Sequence, residues 1–450
     1  MSKTLSRRTF LRNSAVVAGA GVLLPQFSIV HAAGDKLRHA CVGVGGMGRG
    51  DLESLLGGGK VQVVAICDVD EGNLNAAAEF LKTKAGMPDV RLYRDWRVML
   101  EKEDKNIDSV NVSTPDHQHA PVAMSAIQRG KHTYCQKPLT HTVYEARQLT
   151  LAARKMGVVT QMGIQIHADI TYRLAVAIVQ DGAIGKVTEW HSWQSSGAWA
   201  TGGRPEGSDP VPPQLDWDQW IGVAPMRPFK ADIYHPARWR GWQDFGCGVL
   251  GDFACHIFDP VFTALQVGPC LTVRTEAPAA EINNETFPSW QIVHYEFAAT
   301  KWTQGPTVKG TWYNGEVKLP RELAPMPAEY NLPKSGSLIV GTEGVMVLPH
   351  WAGPQLYPLE KFKAYKRPDI KGIDHYQQWV DACLGKGKAE ANFDYSGPMT
   401  ETVLLGNVGL HFAGKTLNWD AEKMQITNVP AANQRVRKTY RSGWEVKGLS

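Results

Sequence analysis

Short apolar runs alternate with helical stretches from about residue 36 to residue 163, and this rhythm predicts βαβ units around a parallel sheet. Strands are expected at 37–44, 61–67, 107–113, 132–135 and 158–162, with helices between them at 48–56, 72–83, 120–129 and 143–155. Every crossover is long enough for a doubly wound arrangement. After Met162 the rhythm changes. A helix over 171–180 ends at the Gly182 and Gly185 punctuation, and a strand follows over 187–193. About fifty residues rich in Gly, Pro and Trp then lead to a helix that begins near Asp252. Alternating segments at 271–275, 291–297, 307–312, 338–341 and 345–348 predict an antiparallel sheet. Two late helices, 375–384 and 399–415, are expected to pack back on the body. The fold class is therefore α/β: a doubly wound parallel sheet at 34–163, then an α+β domain at 164–420 with a large, mostly antiparallel sheet. The second domain carries a Trp-rich insertion at 194–245, and a tail at 421–450 is expected to pack on the body.

A chain of 450 residues with 43% hydrophobic content exceeds what one core usually holds, which agrees with two domains. The net charge of +4 comes from Lys3, Arg7, Arg8 and Arg12; without them 44 basic residues face 44 acidic ones. A neutral body without a basic cluster excludes nucleic acid and anionic lipid as partners. Those four cations belong to a leader. Ser6-Arg7-Arg8-Thr9-Phe10-Leu11, an apolar run from Ala15 to Leu24 and the small-residue end His31-Ala32-Ala33 read as a twin-arginine signal peptide over 1–33. The apolar run is too short for stable membrane insertion. The expected partner is the twin-arginine export machinery, and the expected location is the periplasm or another exported compartment. Seven scattered cysteines read as buried thiols, and without a CxxC pair or Cys/His cluster no metal site is expected.

Several segments carry chemistry. Gly43-Val44-Gly45-Gly46-Met47-Gly48 follows the first strand as a GxGxxG, in which Gly43 makes the turn, Gly45 admits a pyrophosphate and Gly48 packs helix on strand. Asp68 lies twenty residues past Gly48 at the end of the second strand, where an acid binds the adenosine ribose and repels a 2′-phosphate. Together they predict a Rossmann domain holding NAD(H); the bland alternative is a glycine turn plus a helix-capping Asp. Thr114, Pro115 and His119 follow the third strand at the sheet's carboxyl edge and are expected to close over the cofactor. Asp252 and His256, spaced i, i+4, share one helix face, as an acid/base unit or as an exposed ion pair or metal fragment.

The GxGxxG, Ser113-Thr114-Pro115-Asp116-His117-Gln118-His119, the Lys137-Pro138 dipeptide and Gly248-Val249-Leu250-Gly251-Asp252-Phe253-Ala254-Cys255-His256 occur in the order of the Gfo/Idh/MocA oxidoreductases. The chain resembles that family, of the glucose–fructose oxidoreductase and inositol dehydrogenase type, over nearly its whole length beyond the leader. The resemblance implies that Lys137, Asp252 and His256 line the nicotinamide pocket and that Gln136 and Lys137 contact the cofactor. Gln136 departs from the pattern, where Glu is usual, and is read as the mark of an exported subgroup.

His256 is then expected as acid/base, Asp252 as the group orienting it or the substrate, and Lys137 as a hydroxyl-polarising cation. Gln161, Gln165, Arg204, Tyr234, His235, Arg238 and Trp239 are candidates to contact substrate, with Arg240 beside them. Seven tryptophans between 190 and 242 either stack on a pyranose or form a satellite core under a long loop. An exported dehydrogenase meets no obvious pool of soluble nicotinamide, so its NAD(H) is expected to be tightly bound and recycled in place. The leading expectation is oxidation and reduction at a secondary hydroxyl of a sugar or glycoside by a homo-oligomer, a dimer or a tetramer. The alternatives are glycoside hydrolysis by transient oxidation, elimination, hydration and re-reduction, or a carbohydrate-binding protein without turnover.

Overall fold

The five apolar runs of the N-terminal half form strands that are mostly buried on both faces, with Gln62 of the second exposed. The computed structural model describes residues 36–315, 319, 322, 326, 327 and 330–450; the leader expected at 1–33 lies outside them. The first half contains β1 (Leu37–Val42), α1 (Met47–Leu56), β2 (Val61–Cys67), α2 (Glu71–Thr83), β3 (Arg91–Tyr93), α3 (Trp96–Lys102), β4 (Ser109–Val112), α4 (Asp116–Ile127), β5 (His132–Gln136), α5 (Val143–Met156) and β6 (Thr160–Gly163). All six strands run parallel in the order β3-β2-β1-β4-β5-β6, the doubly wound Rossmann topology. Helix ends follow local chemistry: Asp70 caps α2 by accepting Gly72 N–H, and Thr142 with Glu145 makes a capping box on α5, which ends at left-handed Gly157.

The sequence pattern did not contain β3 and α3, because β3 is an exposed three-residue edge strand with no alternation. Helix α4 begins four residues before its expected start. Its polar first turn, Asp116 to His119, reads as loop, yet it is buried because later segments cover it.

The second half adds α6 (Ile170–Gln180), β7 (Val187–Gln194), α7 (Trp217–Ile221), α8 (Gly248–Leu265), β8 (Cys270–Glu276), β9 (Gln291–Ala298), β10 (Thr307–Asn314), β11 (Ser335–Gly341), β12 (Val345–Pro349), β13 (Gln355–Tyr357), α9 (His375–Cys383), α10 (Phe393–Leu410), β14 (Thr416–Asp420) and β15 (Gln425–Ile426). Its nine-stranded sheet has the order β13-β12-β11-β7-β10-β9-β8-β14-β15, with β7 and β10 parallel and the other neighbours antiparallel. Helix α8 is apolar enough over 18 residues to cross a membrane, but here it is a core helix, packed between this sheet, α6 and α10.

The two sheets share one core. Residues of β4, β5 and α4 pack in the same apolar cluster as α8, β9 and α10. The opposite face of the first sheet is closed by α9, whose buried Trp379 meets Tyr134 edge-on at 5.7 Å. Chain from the far end therefore completes the cofactor-binding half. The tail lies along the same half: Tyr440 donates to Glu145 at 2.7 Å, and Arg97 stacks on Trp444 at 3.9 Å.

Candidate active site

The turn between β1 and α1 works through its lack of side chains. Gly43 has φ 82° and donates to Cys67 O at 2.9 Å; a Cβ there would lie 2.5 Å from Ser113 O. A Cβ on Gly48 would lie 2.1 Å from Gly43 O, so Gly48 serves close packing. A Cβ on Gly46 would meet nothing within 4 Å, because that position faces open cleft at the N-terminus of α1. Asp68 borders the same cleft. Its Oδ2 accepts Val44 N–H at 2.9 Å and its Oδ1 accepts Asp70 N–H at 2.9 Å. Burial pushes this carboxyl up against those two donors.

The cleft measures about 540 Å³. Gly43, Gly45, Gly46, Met47, Asp68, Thr114, Pro115, His119, Gln136 and Lys137 all line it, and so does Asp252. A glycine cradle at a helix N-terminus, an open path above it and a carboxylate at the neighbouring strand end fit a dinucleotide. NAD(H) would take its pyrophosphate to the Gly45–Gly46 turn and its adenosine ribose to Asp68.

The other end of the cleft is a charge cluster. Lys137 Nζ donates to Asp252 Oδ1 at 2.6 Å and to Asp252 O at 2.8 Å. Arg240 Nε approaches the same Oδ1 at 3.4 Å, and its guanidinium lies 4.3 Å from the Trp239 ring. Burial raises the Asp252 carboxyl, but Lys137 and then Arg240 outweigh it and hold it below the usual range. Asp116, at the start of α4, accepts Cys247 N–H at 3.0 Å. Its burial, reinforced by Asp252, pushes its carboxyl up to about 7 against the pull of Arg240 and Lys137. One carboxylate is thus fixed as an anion while its neighbour titrates near neutrality. His119 latches the floor: its Nδ1 meets Pro138 O at 2.7 Å and its Nε2 meets Thr114 O at 2.8 Å.

Several expectations are corrected here. Asp252 does not orient His256; it is taken by Lys137 and Arg240. His256 lies one turn along α8, outside the lining of this cleft, with its ring 5.7 Å from that of His350 and its Nδ1 buried without a partner. Burial, then Lys137 and His350, push this imidazole well below its ordinary value, so it is neutral rather than poised near pH 7. Gln161 and Gln165 point away from the cleft into the contact with α9, donating to His375 O at 2.6 Å and Tyr376 Oη at 2.9 Å. Arg204 pairs with Glu285 at the surface at 2.8 Å. Arg238 is exposed and outside the lining, because the short turn that carries it presents Trp239 and Arg240 inward instead. Tyr234 is buried in an aromatic cluster with Trp217, Trp220 and Phe245.

Of the two alternatives for the indoles, the satellite core describes Trp217, Trp220, Trp239 and Trp242, which bury one another with Leu215 and Phe229. Trp220 and Trp239 also border the cleft. His235 reaches it at the adenosine end, 3.3 Å from Asp70. Asp116 and Asn73 line the cleft but were not singled out; the signal for Asp116 was its place in the segment after Pro115. Among the described residues no group of three or more His, Cys, Asp or Glu is arranged to hold a metal, and all seven cysteines are buried and unpaired.

Comparison with known proteins agrees with this geometry. Residues 37–164 match the family model described as oxidoreductase family, NAD-binding Rossmann fold, and residues 179–302 match that of its C-terminal alpha/beta domain. Levoglucosan dehydrogenase of Pseudarthrobacter phenanthrenivorans is 28% identical over 166 residues, 37% of this chain and 34% of that protein. A glycosyl hydrolase family 109 protein of Stenotrophomonas maltophilia is 39% identical over 138 residues, 29% of each chain. The matched segments thus span about a third of those relatives' length. The WlbA dehydrogenase of Bordetella pertussis, solved with NADH and UDP-GlcNAcA, shares the fold at TM-score 0.58 and 18% identity, covering 86% of this chain and 99% of that one. With both family models matched in order over the two sheets, the chain belongs to the Gfo/Idh/MocA oxidoreductase family and carries its NAD-binding Rossmann domain.

Proposed function

We propose that the protein is an NAD(H)-dependent oxidoreductase acting on a secondary hydroxyl of a sugar or glycoside, with its cofactor retained and recycled in place. The observation that carries this reading is the 2.6 Å pair of Lys137 and Asp252 at one end of a cleft whose other end is Asp68. NAD(H), when bound, supplies the hydride acceptor and donor. Lys137 Nζ holds a positive charge where a substrate hydroxyl oxygen gains electron density as it loses its proton. Asp252 and Arg240 keep that ammonium in place. His256 is not placed to act as the base, because it lies outside the cleft lining and its imidazole is pushed well below its ordinary value. Of the cleft's own groups, the Asp116 carboxyl at about 7 can take the hydroxyl proton and later return it. Levoglucosan dehydrogenase, D-apiose dehydrogenase and inositol 2-dehydrogenase among the relatives support a carbohydrate substrate.

A second reading is net glycoside hydrolysis through transient oxidation and elimination. Besides a base, it needs an acid to protonate the leaving oxygen, and the same Asp116 carboxyl at about 7, once it holds a proton, provides one. The family 109 relatives favour it too. Incubation with a panel of glycosides separates the readings: keto-sugar with nicotinamide reduction supports the first, and free reducing sugar without net reduction supports the second. Neither product would leave a carbohydrate-binding protein without turnover. Export through the twin-arginine pathway to the periplasm and a homo-oligomeric state belong to the same proposal. A native mass spectrum of freshly purified protein tests cofactor retention and subunit number together.

A further inference from the structure

The departure at Gln136 has a structural counterpart in helix α1. Asp51 is fully buried beneath the cofactor cleft, and its carboxylate is surrounded by donors from three other elements. Ser113 Oγ, just past β4, donates to it at 2.6 Å, and Tyr376 Oη of α9 donates at 2.7 Å. Gln136 Nε2, at the end of β5, donates to both oxygens at 2.9 Å. Each donor is itself oriented. Ser113 Oγ accepts Asn111 Nδ2 at 3.0 Å, Tyr376 Oη accepts Gln165 Nε2 at 2.9 Å, and Gln136 Oε1 accepts Lys137 N–H at 3.2 Å. Every bond in the network points its hydrogen at Asp51, which leaves the carboxylate as the acceptor of them all.

A glutamate at 136, usual in the family pattern, would set a second carboxylate 2.9 Å from the first. The titratable groups that feel Asp51 are Cys41 of β1, Tyr134 and Cys135 of β5 and Tyr376 of α9, none of them a cation. Two anions in that setting could not both stay ionised. Gln136 and Asp51 are therefore one feature.

We propose that Asp51 and Gln136 form a single positioning unit: the buried Asp51 carboxylate on helix α1, matched to an uncharged donor at 136, fixes the ends of β4 and β5 under the cofactor. Asp51 thereby sets the backbone of Ser113 and Lys137, both at the cleft, while Asp252 is left as the carboxylate bonded to the lysine ammonium. The unit acts on cofactor binding, which does not depend on the identity of the sugar.

The test uses the full chain freed of bound nucleotide, with NAD⁺ affinity measured by calorimetry at pH 8 and pH 5.5 and folding followed by circular dichroism. Q136E is expected to weaken NAD⁺ binding about tenfold or more at pH 8 and to recover most of that loss at pH 5.5, where the carboxyl pair shares a proton. D51N is expected to lose about tenfold at both pH values, and the exchanged pair Q136E/D51N to bind within about threefold of the parent at both. A merely structural role would lower thermal stability without giving Q136E this pH-dependent affinity. If Q136E does not fold, recovery of fold and NAD⁺ binding in Q136E/D51N supports the unit. Binding by Q136E within about twofold of the parent at pH 8, or an exchanged pair no better than Q136E, overturns it.

Discussion

At the adenosine end of the cleft, Asp68 is held by backbone N–H groups two and twenty-four residues away, Asp70 and Val44, around a turn whose glycines supply the shape. At the other end, Lys137, Asp252, Arg240 and Asp116 come from four separate segments and hold one another by charge. The first end is a backbone device, so a changed side chain there loses its own contacts and little else. The second is a mutual one, so removing one charge changes the others: without Lys137 the buried Asp252 carboxylate loses its main partner, while without Asp116 a like-charge repulsion is relieved. The two ends therefore differ in how far a single substitution propagates.

The largest effect is expected from Lys137→Ala. It strands the Asp252 carboxylate with Arg240 at 3.4 Å as its remaining bonded cation, costing about 3 kcal/mol in urea unfolding, and it removes the polarising cation, lowering turnover about a thousandfold. Adding Asp252→Asn should restore the stability and not the turnover. Equal losses in Lys137→Ala and Asp68→Ala would erase the contrast between the ends.

Asp116→Asn comes next, and its sign depends on pH. The folded carboxyl titrates at about 7 against an ordinary 3.8, so between those values the native chain binds more protons than the unfolded one. Stability then falls as pH rises through that window, and the full penalty is present above pH 7. Asparagine keeps an acceptor for Cys247 N–H and carries no charge. The variant should be more stable than the parent by on the order of 3 kcal/mol at pH 8 and equal to it near pH 4, by thermal unfolding across the range. A difference independent of pH would mean that Asp116 does not titrate there.

The same contrast explains what could be read from the sequence. The glycine turn, Asp68 and the parallel strand order rest on local backbone rules, and periodicity with a motif reveals them. Asp116 was invisible as a titrating group because its burial comes from Cys247 and the segment before α8, more than a hundred residues away. The i, i+4 spacing of Asp252 and His256 was legible, but their partners were not: spacing gives a shared face and says nothing of the lysine that takes the carboxylate. Tyr234 and Arg204 were misplaced for a related reason. Composition marks a region as aromatic and basic, while the turn at 238–241 decides which side chains enter the cleft.

Asp68→Asn tests the backbone end. It should weaken NAD(H) binding roughly tenfold, the usual scale for losing a charged hydrogen-bond partner, and narrow the preference over NADP(H), while leaving thermal stability within about 1 kcal/mol. Fluorescence titration with both dinucleotides measures this. A collapse of stability instead would make the adenosine end as interdependent as the other.

The smallest effect sharpens the comparison most finely, because it uses two arginines of the same Trp-rich stretch. Arg240 stacks on Trp239 and reaches Asp252, so Arg240→Ala should lower turnover roughly tenfold through the loosened Lys137–Asp252 pair. Arg204 is 41% exposed, and its partner Glu285 also lies 3.4 Å from Arg227, so the acid keeps a cation when Arg204 is gone. A solvent-screened pair of this kind contributes little, and Arg204→Ala should change stability by less than about 0.5 kcal/mol and leave NAD(H) affinity and turnover as they are. A substantial loss of turnover in Arg204→Ala with unchanged cofactor affinity would return that arginine to the substrate, and would mean that the loop closes onto the cleft in the working enzyme.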